Sequence, residues 1–175
     1  MARRNLAAAS IALIVLIGVS CGGNDGDGGG GGAGSGGDTF VSDIRPAIEA
    51  VEAELGAGQE YFEVTANETV VNLFIAVDDA TAALPYVYLD GALQPPAPAL
   101  TGASGFTFGA DAVDFEDSIL DAVTEELPDS TVEAFSIEGG EGGIVRYVIA
   151  MLSPEGGRLD VTVGPDGAVL AVEPV

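Results

Sequence analysis

The sequence predicts an α+β fold: two tandem repeats, each of one helix packed on an antiparallel β-meander. Three observations carry that expectation. The first is an internal repeat, which decides an architecture before any single element does. Ile48–Leu55 (IEAVEAEL) aligns with Leu120–Leu127 (LDAVTEEL) at an offset of 72 residues. Val70–Val77 (VVNLFIAV) aligns with Ile144–Met151 (IVRYVIAM) at 74, and Asp90–Leu93 (DGAL) with Asp166–Val169 (DGAV) at 76. Order is kept while the spacing grows by two at each step, as a duplicated unit with longer turns in its second copy would show. The second observation is helical periodicity at the head of each unit, and the third is period-two alternation after it, closed by an Asp-Gly turn.

The chain opens with Arg3 and Arg4, followed by the apolar run Leu6–Val19. A short positive segment, an apolar stretch and a small-residue cut site form a secretory signal over residues 1–20. The run is shorter than the roughly 18–20 apolar residues of a spanning helix. The only cysteine, Cys21, stands just past the cut in Gly18-Val19-Ser20-Cys21. This segment resembles the lipobox of bacterial lipoproteins; Val19 and Ser20 suit that pattern, and Gly18 stands where the family prefers leucine. The resemblance implies that Cys21 is the lipidation site and first residue of the mature chain. It also implies an extracytoplasmic protein held to the bacterial cell membrane by a lipid. A lone cysteine has no partner for an internal disulfide, and acylation consumes a thiol that would be a liability in an oxidising compartment.

Residues 21–37 form a tether, since 11 of the 16 residues in Gly22–Gly37 are glycine and bury no apolar surface. As a flexible coil, those 17 residues reach about 23 Å, enough to lift a domain off a headgroup layer.

The first repeat, 38–94, begins with a helix. Ser42 is a suitable N-cap and Pro46 sits in the opening turn, where a missing N–H costs nothing. Ile44, Ile48, Val51 and Leu55 fall on one stripe, and Gly56 ends the helix. Strands follow over Tyr61–Thr65, Thr69–Val77 and Tyr86–Leu89. A fourth is cut short by Pro95, Pro96 and Pro98, which cannot donate to a ladder. Those prolines open a linker, 95–110.

The second repeat, 111–175, places a helical stripe on Phe115, Ile119 or Leu120, Val123 and Leu127, capped by Asp111 or Asp114 and stopped by Pro128. Strands follow over Thr131–Ile137, Ile144–Leu152, Leu159–Val163 and Ala168–Glu173. In the central strands Val71, Leu73, Ile75 and Val77 match Val145, Tyr147, Ile149 and Met151 on one face. Asn72 and Arg146 stand on the other, so one side packs on a helix and the other is partly wet. The two meanders form either two sheets side by side or one continuous sheet with both helices on a face.

Phe115–Val175 resembles a PepSY-type domain. The points of similarity are Glu126-Leu127-Pro128 at the helix end, Val132-Glu133, the strand Tyr147-Val148-Ile149 and the glycine turn Glu155-Gly156-Gly157. The strand Leu159–Val163 and the closing Asp166-Gly167-Ala168-Val169-Leu170 complete them. The resemblance implies a secreted or envelope-anchored, non-catalytic module associated with peptidases, with no catalytic residues to carry over.

Composition narrows the chemistry further. The net charge is −23, becoming −25 once Arg3 and Arg4 leave, with Arg45, Arg146 and Arg158 the remaining cations. A basic patch is what nucleic-acid binding requires, so nucleic acid is excluded as a partner. Without His or Lys, and with Cys21 lipidated, the usual nucleophile–base pairings have no base, so no enzyme is expected. No cofactor is expected either, because zinc, copper and haem sites lose their ligands. Asp114, Asp117, Asp121 and Glu125 are spaced as an acidic stripe on the second helix, a weak candidate for Ca²⁺ lacking EF-hand spacing. Tyr86, Tyr88, Phe106 and Phe108 surround the linker and are the candidate lining of an aromatic groove. The expected function is binding or modulation, with an envelope or secreted peptidase restrained by the domain. The alternative is an envelope carrier or sensor of a small apolar ligand or Ca²⁺.

Overall fold

The computed structural model describes residues 41–175. The expected signal segment, Cys21 and the expected glycine tether lie outside the described residues.

Helix α1 (Ile44–Leu55) buries Ile44, Ala47, Ile48 and Val51. Leu55, expected to finish that stripe, is 39% exposed. Gly56 ends the helix at φ 98°, a conformation glycine adopts without a Cβ clash. Asp43, rather than Ser42, occupies the N-cap position. The first meander comprises β1 (Glu60–Ala66), β2 (Val70–Val77), β3 (Ala82–Leu89) and the two-residue β4 (Ala92–Leu93). Asp90 and Gly91 both have positive φ, the geometry of a type I′ hairpin turn.

The segment expected as a linker is stitched into the sheet. Within it β5 (Leu100–Thr101) pairs with β3, and β6 (Phe108–Gly109) pairs with β1. Helix α2 (Ile119–Glu126) starts later than the apolar spacing suggests, with Ser118 as N-cap in place of Asp111 or Asp114. Phe115 lies in the approach to it, where the Glu116 N–H donates to the Pro165 carbonyl at 2.9 Å. The second meander comprises β7 (Thr131–Gly139), β8 (Val145–Leu152), β9 (Arg158–Val163) and β10 (Val169–Pro174).

All strands form one antiparallel sheet in the order β10-β9-β8-β7-β1-β2-β3-β4. Each meander runs outward from the centre, where β1 pairs with β7. At this junction Val64 faces Ile137 and Ala66 faces Phe135, all fully buried. The two helices add Ile44, Val51, Ile119 and Val123 to the same core cluster, so both lie on one face of one sheet. The halves are unequal: α1 has 12 residues and α2 has 8, while β4 has two residues and β10 has six.

An aromatic knot holds the helix layer to the strands of the second half. Phe115 meets Phe135 and Tyr147 edge-on at 5.3 and 5.8 Å, and Phe135 stacks on Tyr147 at 6.0 Å. The Tyr147 hydroxyl donates to the Asp114 carbonyl at 2.7 Å and accepts from its N–H at 3.0 Å. Arg45 of α1 reaches across to donate to the Phe115 carbonyl at 2.6 Å, its guanidinium 4.6 Å from the Phe115 ring centroid. Such a cation–π contact contributes roughly 0.5–2 kcal/mol and here ties the first helix to the approach of the second.

Both sheet edges are guarded by proline. Beyond β4, Pro95, Pro96 and Pro98 follow in the chain while Gln94 and Ala97 keep bonding to β3 carbonyls. On β10 the Val175 N–H turns inward to the Arg158 carbonyl, so alternation sets Pro174 at the outer edge, where it offers no donor.

The end of β7 depends on one glycine. A Cβ on Gly139 would stand 2.2 Å from the Phe106 carbonyl oxygen, where the segment before β6 crosses the strand. Gly139→Ala is therefore expected to lower unfolding free energy in urea by about 1–3 kcal/mol, the range of forced overpacking. Gly157→Ala, whose Cβ would meet only the Ser153 hydroxyl at 3.5 Å, should change it by about 0.5 kcal/mol or less. Equal effects at the two positions would contradict the packing.

Candidate functional site

Strand residues alternate between two faces, and the structure uses them unequally. One face carries Leu73, Ile75, Tyr147, Ile149, Val161 and their neighbours into the core beneath the helices. On the other face, no helix among the described residues covers the sheet.

Strand register arranges this open face in rows. The central row runs Ala171, Thr162, Val148, Ser136, Thr65, Asn72, Val87, one residue from each of seven adjacent strands. None of the seven is charged, in a chain of net charge −23. Thr65 and Ser136 join the two halves through their hydroxyls, 2.9 Å apart across the β1–β7 seam.

The next row runs Arg146, Glu138, Glu63, Phe74, Pro85. Glu63 and Glu138 stand directly opposite each other, a like-charge cross-strand pair that is destabilising. Arg146 relieves only one member, since its Nε donates to the Glu138 carboxylate at 3.1 Å. Glu63 accepts a bond from the Thr65 hydroxyl. Burial raises the Glu63 carboxyl above the usual glutamate value, the Thr65 bond opposes that rise, and the Glu138 charge adds to it. At the rim, Arg158 pairs with Glu133 at 2.9 Å.

The sites expected from the sequence fall elsewhere. Asp114, Asp117, Asp121 and Glu125 do not share a helix face, because α2 begins at Ile119 and leaves Asp114 and Asp117 in the turn ahead of it. No group of three or more His, Cys, Asp or Glu that could hold a metal ion exists among the described residues. The four aromatics do not line a common accessible groove. Tyr86, Tyr88 and Phe108 point into the core, where Phe108 stacks on Tyr61 at 5.8 Å, while Phe106 is 55% exposed. The fully buried Tyr61 carries the one buried side-chain polar atom without a hydrogen-bond partner among the described residues, and burial pushes its phenol pKa up. It faces the helix layer, so its unmet hydroxyl is a cost of packing and adds nothing to the open face. No helix among the described residues is long and apolar enough to cross a membrane.

No protein family, curated protein or solved structure matches the chain.

Glu63 gives that geometry a measurable consequence. Its folded pKa is raised, so the folded state holds the proton at higher pH than the unfolded chain does. The associated stability is present below the ordinary value of 4.5 and is lost as pH rises through the raised one. Glu63→Gln should thus gain about 0.5–1 kcal/mol over the parent at neutral pH, the scale of a relieved like-charge pair. That gain should shrink toward zero near about pH 4, where the parent carboxyl is increasingly protonated. Urea denaturation at both pH values checks this; a loss of stability at neutral pH would contradict it.

Proposed function

We propose that this protein is a lipid-anchored, extracytoplasmic, non-catalytic binding module that holds a protein partner on the open face of its sheet. The observation that carries the reading is the uncovered face itself, whose central row is free of charge although the chain is strongly acidic. Charge is depleted at the cores of protein interfaces and retained at their rims. Here uncharged Val148, Ser136, Thr65 and Asn72 occupy the centre, while Glu63, Glu138 and Arg146 flank them and Arg158 pairs with Glu133 at the rim.

The chain is read as an internal duplication with a PepSY-like second half. Helix-then-meander order in both halves, and strand order running outward from a central seam, support it. The partner class that goes with this reading is an envelope or secreted peptidase, restrained by occupation of the sheet. Absence of His and Lys from the sequence supports binding over catalysis. In this reading Cys21 supplies the lipid anchor.

Photo-crosslinking in cells tests the docking face. A benzophenone side chain placed at Thr65 or Val148 should form an adduct with an envelope or secreted protein. The same group at Glu49, exposed on the outer side of α1, should not. Adducts from Glu49 alone would contradict the assignment. In parallel, Cys21→Ser should move the protein out of the membrane fraction, and retention there would contradict the anchor.

A further inference from the structure

We infer that the protein partner presents a lysine or arginine side chain to the row Glu138–Glu63–Phe74, which flanks the uncharged central row of the open face. This rests on the docking reading above and specifies its chemistry. Two carboxylates face each other across the β1–β7 seam, and the ion pairs of the described residues, Arg146–Glu138 and Arg158–Glu133, leave Glu63 without a cation. On its other side Glu63 is directly opposite Phe74 of β2. A carboxylate beside a half-buried aromatic ring attracts a cation twice over, by charge and by the negative face of the ring. Next to this row stand Thr65, Asn72 and Ser136, short side chains that leave height above the sheet for an incoming one.

Energetics point the same way. A like-charge pair with both members partly buried destabilises the free protein, and an arriving cation removes that penalty on binding. The net charge of −23 attracts basic surfaces from a distance and steers their approach. It also disfavours a second copy as the occupant, because two such faces would bring four glutamates together.

The test uses the full chain in detergent micelles, isotope-labelled for NMR, titrated with acetyl-Ala-Arg-Ala-amide. The citrulline peptide, neutral but of the same shape, is the control. The arginine peptide should shift the resonances of Glu63, Phe74 and Glu138 in a saturable way, and the citrulline peptide should bind at least about tenfold more weakly, a charge-assisted hydrogen bond's worth. Glu63→Gln should weaken the arginine peptide about tenfold, whereas Glu68→Gln, which removes the same charge from the exposed β1–β2 turn, should leave it unchanged. Shifts spread evenly over the acidic surface, equal losses from the two variants, or concentration-dependent self-association through this face would each overturn the inference. If photo-crosslinking from Thr65 persists undiminished in Glu63→Gln, the cationic anchor fails while the docking face stands; loss of crosslinking from every open-face position in the unmodified chain fails the docking face itself.

Discussion

The pairing of β1 with β7 is the constraint on which the rest of the molecule depends. These strands are brought together from opposite halves of the chain, and their register decides what each face of the sheet becomes. With Val64 opposite Ile137 and Ala66 opposite Phe135, the buried positions of both meanders fall on one side. A slip of one residue would turn every core side chain outward, so hydrophobic burial specifies this register strongly. Bulges between Tyr61 and Glu63 and between Val132 and Ala134 absorb the odd residue in each seam strand. They let the twist change while the apolar set stays on the helix side.

The same register creates the charged row that flanks the centre of the open face. Setting Val64 against Ile137 places the preceding residue, Glu63, against Glu138 on the other side. The like-charge pair is thus a direct consequence of the contact that joins the halves, and it persists because the core gain is larger. Burying a large apolar side chain contributes roughly 1.5–3 kcal/mol, whereas an opposed pair of charges costs roughly 0.2–1 kcal/mol. The helix layer then completes one side through α1, α2 and the Arg45–Phe115 clasp, and nothing comparable among the described residues closes the other. One face is solved for stability, and the other is left available at a small energetic loss.

Local chemistry made much of this fold legible. Alternation in Val70–Val77 and Val145–Leu152 marked the wet and dry faces, Asp90-Gly91 marked a tight hairpin, and Pro95, Pro96 and Pro98 marked a truncated edge. The open face was half visible, since Asn72 and Arg146 were placed on it from alternation alone. What sequence did not reveal was non-local. Nothing in Glu60–Ala66 or Thr131–Gly139 announces that these strands pair across some 70 residues, so the Glu63–Glu138 opposition could not be read. The β5 and β6 rungs are two residues each, too short for periodicity to show. The acidic stripe failed because the apolar spacing of Phe115 with Ile119 imitates a helical turn, whereas the helix starts only at Ile119 and the Glu116 N–H bonds instead to the Pro165 carbonyl. The aromatic groove failed for a plainer reason: Tyr86 and Tyr88 are two apart on a strand, which puts both on the same buried face.

Native-state hydrogen exchange on the full chain tests the seam most directly. If β1–β7 pairing makes one cooperative sheet, the slowest amides of Val64, Ile137, Leu73 and Ile149 should exchange with one free energy and one dependence on denaturant, through global unfolding. If the β1–β2 amides open at a distinctly lower free energy than those of β7–β8, or the reverse, the halves unfold separately and the account fails.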